Sequence, residues 1–177
     1  MRFVFTTTYD SKALTAMAKC IRKTTRKKRE RRSHVIGWAI VVIALLRVIA
    51  AIAEGNVLTF PNILMLLAAA AIIVTFIFED RFNAAISAKG MLKGSEKSVA
   101  VFDTEVPDTF ISETEVGKTE FPYAKLEAIA ETEDCFVFAL SDKYAQVYDK
   151  HGLDGGSADE FREFITERTG KTVIKVK

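Results

Sequence analysis

Two long apolar runs, at 35–53 and 58–78, stand with only Glu54, Gly55, Asn56 and Val57 between them. Each run approaches the ~20 residues that a helix needs to cross a hydrocarbon core of ~30 Å. Lipid offers no water to backbone N–H and C=O groups, so such runs must satisfy them internally, as helices. The four intervening residues suffice for a tight turn and not for a domain, and Gly55 and Asn56 are turn formers. Thr59 is placed to cap the second helix, and Pro61 is tolerated in its first turn. The pattern predicts an antiparallel membrane hairpin. Gly37, Ala39, Ala44 and the alanines at 68–71 are the positions where its helices can approach closely.

The charge is unevenly divided. Residues 1–94 hold 15 Lys and Arg against 5 Asp and Glu, whereas residues 95–177 hold 10 against 18. Nine of the basic residues crowd the approach to the first run: Lys19, Arg22, Lys23, Arg26, Lys27, Lys28, Arg29, Arg31 and Arg32. The turn at 54–57 has none, and Arg81, Lys89 and Lys93 follow the second run. Basic residues stay inside, so both termini are expected in the cytoplasm and the turn outside. The small residues at 51–53 resemble a signal-peptidase site. The basic region ahead of them is far too long for a signal peptide, and a second span follows at once. The same nine residues are expected to contact anionic lipid or the acidic C-terminal half. Orientation already accounts for the basic block, so no nucleic-acid partner is expected. Arg47 is the one charge inside a run, about two turns from the outer end of its helix. It can snorkel to the headgroups beside Glu54, or serve as a functional intramembrane charge.

Outside the runs the periodicity changes. Residues 1–9 are rich in strand formers, with Phe3 and Phe5 on one side. Asp10 or Ser11 can cap a following basic amphipathic helix whose apolar face is Leu14, Met17, Ala18 and Ile21. That helix can lie on the inner leaflet, or pack on the following domain with its strand joining the sheet. Residues 79–92 stay helical in character until Gly90 and Gly94 break them. From residue 98 the period is two, which predicts strands at 98–102, 109–114, 118–121, 126–132, 135–140 and 144–148 in an antiparallel meander. Phe136, Phe138 and Leu140 alternate with the smaller Cys135, Val137 and Ala139, as in a strand packed on one face. Ser157 and Glu160 form a capping box, Phe161, Phe164 and Ile165 an apolar stripe, and Gly170 a stop. Val173, Ile174 and Val176 suit a last short strand. The predicted fold class is α+β: a two-helix transmembrane hairpin, then a cytoplasmic antiparallel sheet capped by a C-terminal helix, pleckstrin-homology-like. The expected boundaries are 1–32, 33–94 and 95–177.

No residue pattern here carries chemistry. The two histidines, His34 and His151, are far apart, and no zinc, calcium, nucleotide or hydrolase motif occurs. Neither metal nor cofactor is expected, and no enzymatic activity. Cys20 and Cys135 are expected as free thiols of a reducing compartment, Cys135 as a small core residue of a strand. Glu113, Glu115, Glu120, Glu127, Glu131 and Glu133 read as a solvated sheet face. The weak exception is the loop holding His151 and Asp154, where backbone N–H groups near a helix N-terminus can accept an anion. Gly155 and Gly156 read there as a flexible approach to the helix.

Several segments resemble the YcxB-like family of bacterial membrane proteins. They are Phe121-Pro122-Tyr123-Ala124-Lys125-Leu126 with Ile129, the strand from Asp134 to Leu140, and Val147-Tyr148-Asp149-Lys150 leading to the helix with Phe161 and Phe164. The resemblance implies a short N-terminal strand and helix, two adjacent spans, and a C-terminal sheet-plus-helix domain. The loop from His151 to Gly156 departs from it, where a basic and aromatic link is usual, which puts a shared ligand there in doubt. The expected role is a non-enzymatic inner-membrane protein presenting a protein-interaction or regulatory module to the cytoplasm. The alternatives are a lipid-binding or membrane-sensing module and a small transport or channel accessory subunit. The expected partners are the bilayer and a protein.

Overall fold

The computed structural model describes residues 2–55, 59–91 and 93–176. Asn56 of the expected turn, Leu58 at the start of the second run and Leu92 after Gly90 lie outside the described residues. In chain order the elements are β1 (Arg2–Thr8), α1 (Ser11–Lys23), α2 (Lys27–Ala53), α3 (Phe60–Gly90), β2 (Lys97–Asp103), β3 (Thr109–Thr114), β4 (Gly117–Pro122), β5 (Ala128–Glu131), β6 (Cys135–Ala139), β7 (Ala145–Asp149), β8 (Leu153–Asp154), α4 (Ala158–Thr169) and β9 (Val173–Lys175). Two compact units result. One is Lys28–Phe82, and the other joins Met1–Lys27 to Asn83–Lys177. The N-terminal strand and helix thus share a unit with the C-terminal half of the chain.

In the helical unit, α2 and α3 are both long and apolar enough to cross a membrane. Only 22% and 11% of their most apolar windows are buried, unlike the core helices of a soluble protein. Val35, Trp38, Ile43, Leu46, Leu67 and Ile77 all lie exposed. Val41, Ala44 and Ala69 form the contact between the helices, flanked by Met65, Ile72 and Ile73. Of the small residues expected there, Gly37, Ala44 and Ala69 are buried, while Ala39 faces outward. The Phe76 ring lies against Gly37, where an added Cβ would fall 2.2 Å from its Cζ. Gly37→Ala is therefore expected to displace Phe76 and cost about 1–3 kcal/mol in heat unfolding of the full chain in detergent. Adding Phe76→Ala should cost less than the separate losses combined, and strict additivity would show that the two residues do not meet. Arg47 Nη1 lies 3.6 Å from Glu54 Oε2 on the exposed surface, the pairing that their spacing predicted.

The other unit is built from two sheets. One runs β4-β3-β2-β1-β8 and the other β7-β6-β5-β9. The N-terminal strand does join the sheet. It pairs with β2 along its whole length, from Arg2 opposite Asp103 to Thr8 opposite Lys97, and with β8 on its other side. The expected purely antiparallel sheet is corrected at β9, which runs parallel to β5, Ile129 opposite Val173. Parallel neighbours need a long crossover, and the chain between β5 and β9 supplies one through β6, β7, β8 and α4.

The core between the sheets is mostly aromatic. Phe3, Phe5, Phe102, Phe110, Phe136, Phe138, Tyr148 and Phe161 are all within 1% of complete burial. Phe161 of α4 packs its ring 4.6 Å from Phe5, 4.9 Å from Phe102 and 5.1 Å from Phe136. A second core lies beyond the β7-β6-β5-β9 sheet, where Leu14, Met17, Cys20 and Ile21 of α1 pack with Ala130, Cys135, Val137 and Val147. This corrects the one-faced reading of 135–140: every residue of β6 is buried. Its phenylalanines face the aromatic core and its small residues face α1.

The glycines before α4 are also corrected. They are close-approach positions and no flexible linker. A Cβ at Gly152 would lie 2.0 Å from the Thr6 carbonyl oxygen, and one at Gly155, where φ is +90°, 1.9 Å from that of Arg2. Only glycine lets this segment lie against β1.

Candidate functional site

The most site-like feature of the second unit is a groove of about 660 Å³ beside α1. Thr15, Ala16 and Lys19 of α1 form one wall, and the groove is lined further by Glu131, Thr132, Glu133 and Asp134 and by Lys150, Lys175 and Val176. The amphipathic spacing of α1 buries Ala13, Leu14, Met17 and Ala18 and so turns Thr15 and Lys19 toward the rim. Asp10 caps the helix by accepting from the Ala13 amide at 2.7 Å. Lys12 Nζ meets Asp134 Oδ2 at 2.9 Å across the outside. That hydrogen bond raises the Lys12 pKa and lowers that of Asp134. Lys12 is exposed and Asp134 half-buried, so the pair fixes geometry more than it adds stability.

Glu131 anchors the floor. Its Oε2 accepts from Arg162 Nε at 2.6 Å, and its Oε1 accepts from Arg162 Nη2 at 2.7 Å and from Lys150 Nζ at 2.6 Å. Lys150 Nζ donates further to the carbonyls of Thr132 at 2.7 Å and Glu133 at 3.2 Å, and it lies 5.0 Å from the centre of the Phe136 ring. Asp159 flanks Arg162 from the other side. Burial by itself would raise the Glu131 pKa, but the hydrogen bonds from Arg162 and Lys150 outweigh it and hold it down to about 2. The Arg162 pKa rises in turn. A carboxylate that accepts this many charged donors has little affinity for a further proton, so it is a poor general base. Its work is to clamp β5, α4 and the segment after β7 together.

This corrects the reading of Glu131 as part of a solvated face, since it is 5% exposed. Glu133, two residues on, is exposed as expected. The partners of Glu131 are 19 and 31 positions away, beyond reach of any local pattern. One signal was available. Glu131 shares a strand face with Ile129, a core residue, so alternation alone placed it inward.

The sequence-predicted residues are dispersed. Lys19 lines the groove. Arg22 and Lys23 end α1, and Arg26 Nε donates to the Asp142 carbonyl at 2.5 Å, tying the end of the basic arm to the turn after β6. Lys27, Lys28, Arg29, Arg31 and Arg32 lie exposed on the first turns of α2. His151 is exposed, with its Nδ1 and its amide both 3.0 Å or less from Asp149 Oδ1. Asp154 pairs with Val4 in β8 and accepts from the Gly155 amide at 2.9 Å. The anion position at the start of α4 is taken by the chain itself. Ser157 N donates to Glu160 Oε2 at 2.7 Å, and Glu160 N to Ser157 Oγ at 3.2 Å. Cys135 is buried among apolar atoms, which push its thiol up to about 11.

Among known proteins, residues 107–165 match the family model described as YcxB-like protein. The match is roughly a third of the chain, from just before β3 into α4, and it contains every segment that carried the resemblance. It includes Glu131, Lys150 and Arg162 but neither the α1 wall of the groove nor the two apolar helices. No curated protein and no solved structure matches the chain.

Proposed function

We propose that this chain is a non-enzymatic module held at the inner face of a bacterial cytoplasmic membrane, and that its groove receives a polar segment of a protein partner. The hairpin crosses the bilayer twice and leaves both termini in the cytoplasm. The support is the cluster of basic residues before α2, the absence of any in the turn, and the outward-facing apolar side chains of both helices. The sheets, closed by α4 around one aromatic core, form a pleckstrin-homology-like body. The observation that carries the reading is the groove itself. It gathers Lys19, Lys175, Glu133 and Asp134 with a carboxylate already saturated by Arg162 and Lys150. Such a surface suits a segment bearing both charge signs, and its central carboxylate, Glu131, is a poor proton acceptor. A second reading, an anionic lipid headgroup in the same place, draws on Lys19, Lys150 and Lys175 lining one groove.

A photo-crosslinking residue placed at Thr15, in the full chain in its own membrane, separates these readings. A polypeptide adduct is expected at Thr15, absent when the label is moved to the exposed Tyr144 and lost on Lys19→Glu. Lipid adducts alone would favour the second reading. Equal labelling from Thr15 and Tyr144 would defeat both.

A further inference from the structure

We infer that Glu30, His34 and Glu79 form a binding site for a single divalent transition-metal ion, which staples α2 to α3. Nothing in the proposed role of the groove requires it, since all three residues belong to the helical unit. Glu30 and His34 are four apart on α2 and so share one helix face. Glu79 comes from α3, immediately after the second apolar run, as His34 comes immediately before the first. One nitrogen and one oxygen from each carboxylate all lie within 4.8 Å of one another. Ligand atoms each ~2.0–2.2 Å from a tetrahedral ion stand roughly 3.3–3.6 Å apart. His34 Nε2 and Glu79 Oε2, at 3.1 Å, already have almost that separation. A Glu30 carboxylate oxygen completes the set within 4.8 Å of both.

The imidazole is held in place rather than merely nearby. Its ring stacks on Phe76 with centres 4.4 Å apart and planes 23° apart. Phe76 itself rests on Gly37, where no other residue leaves room. The close approach of the helices therefore fixes the face of His34 and aims Nε2 toward Glu79. The side chains of His34 and Glu79 are 32% and 14% exposed, so the position is sheltered yet reachable by an ion. One imidazole and two carboxylates suit Zn²⁺, Mn²⁺, Fe²⁺ or Co²⁺, and the nitrogen donor disfavours Mg²⁺ and Ca²⁺. Two carboxylates and a neutral imidazole balance a dication, which removes net charge beside the apolar surface. Three protein ligands leave a position for water.

The test uses the full chain in detergent micelles, stripped by a chelator and titrated with Co²⁺ as a visible-absorption probe, then with Zn²⁺ as competitor. The expected result is saturation at a single ion per chain, displacement by Zn²⁺, no response to Mg²⁺ and a rise in the unfolding temperature on loading. His34→Ala and Glu79→Gln should each weaken binding by roughly tenfold or more, while His151→Ala leaves it unchanged. Glu30→Gln, a change at the partly exposed rim, should weaken binding with helical circular dichroism intact even if the other variants fold poorly. The inference is overturned if the wild-type chain binds neither ion, if Glu30→Gln binds as tightly as wild type, or if His151→Ala is the change that abolishes binding.

Discussion

Phe5→Ala is expected to destabilise the sheet-containing unit by about 3–5 kcal/mol, a large share of the 5–15 kcal/mol that holds a typical domain together. Phe5 is completely buried, and its ring lies 5.8 Å from Phe102, 5.6 Å from Tyr148 and 4.6 Å from Phe161. Truncation would open a void touching both sheets and α4. The void cannot collapse easily, because β1 is hydrogen-bonded on both sides. Denaturant unfolding of the full chain in detergent, followed by tyrosine fluorescence, measures the loss. Amide exchange in β2 and β6 should quicken along with it. Val4→Ala, on the partly exposed opposite face of the same strand, should cost under about 1.5 kcal/mol. A loss below about 1 kcal/mol for Phe5→Ala would mean that the N-terminal strand is not integral to the core.

Glu131→Gln is expected to cost about 3–5 kcal/mol at neutral pH, because it leaves the Arg162 and Lys150 charges without their shared counter-ion. The same clamp makes the unit acid-sensitive. The folded Glu131 carboxyl is held near 2, below its ordinary value of 4.5, so its stabilisation is complete above about pH 4.5. It should fade as the pH falls from there toward 2, by about 3 kcal/mol at most. Denaturant midpoints measured between pH 5 and pH 2 should slope downward in the wild-type chain and run flatter in Glu131→Gln. Glu133→Gln, at an exposed position in the turn, is the control expected to keep both the slope and the stability. Parallel slopes in wild type and Glu131→Gln would exclude the clamp as the origin of acid sensitivity.

Of the residues that line the groove, only Lys19 stood among the site residues expected from the sequence. Lys19 was visible as one of a basic cluster, but eight other residues in that cluster looked the same. What sets Lys19 apart is the register of α1 on the sheet, which places it over the turn from Glu131 to Asp134. The aromatic core was legible in the alternation of Phe136 and Phe138. The burial of Val137 was not, because a second covering layer is supplied by α1, more than a hundred residues earlier in the chain. Gly155 and Gly156 looked like slack and are instead places where the chain lies against β1, at the Arg2 carbonyl and the Phe3 ring.

Local chemistry alone specified the two apolar helices, the charge asymmetry around them, the capped helix at Ser157 and most of the strands. Hydropathy, capping and alternation act between residues a few positions apart, and those distances survive any fold. Tertiary structure decided which sheet β1 would enter, that β9 would run parallel to β5, and that Glu131 would meet Arg162 and Lys150 while His34 met Glu79. These outcomes depend on how separate faces pack in space. A carboxylate's surroundings are created only when distant segments close around it, and no spacing along the chain encodes that enclosure.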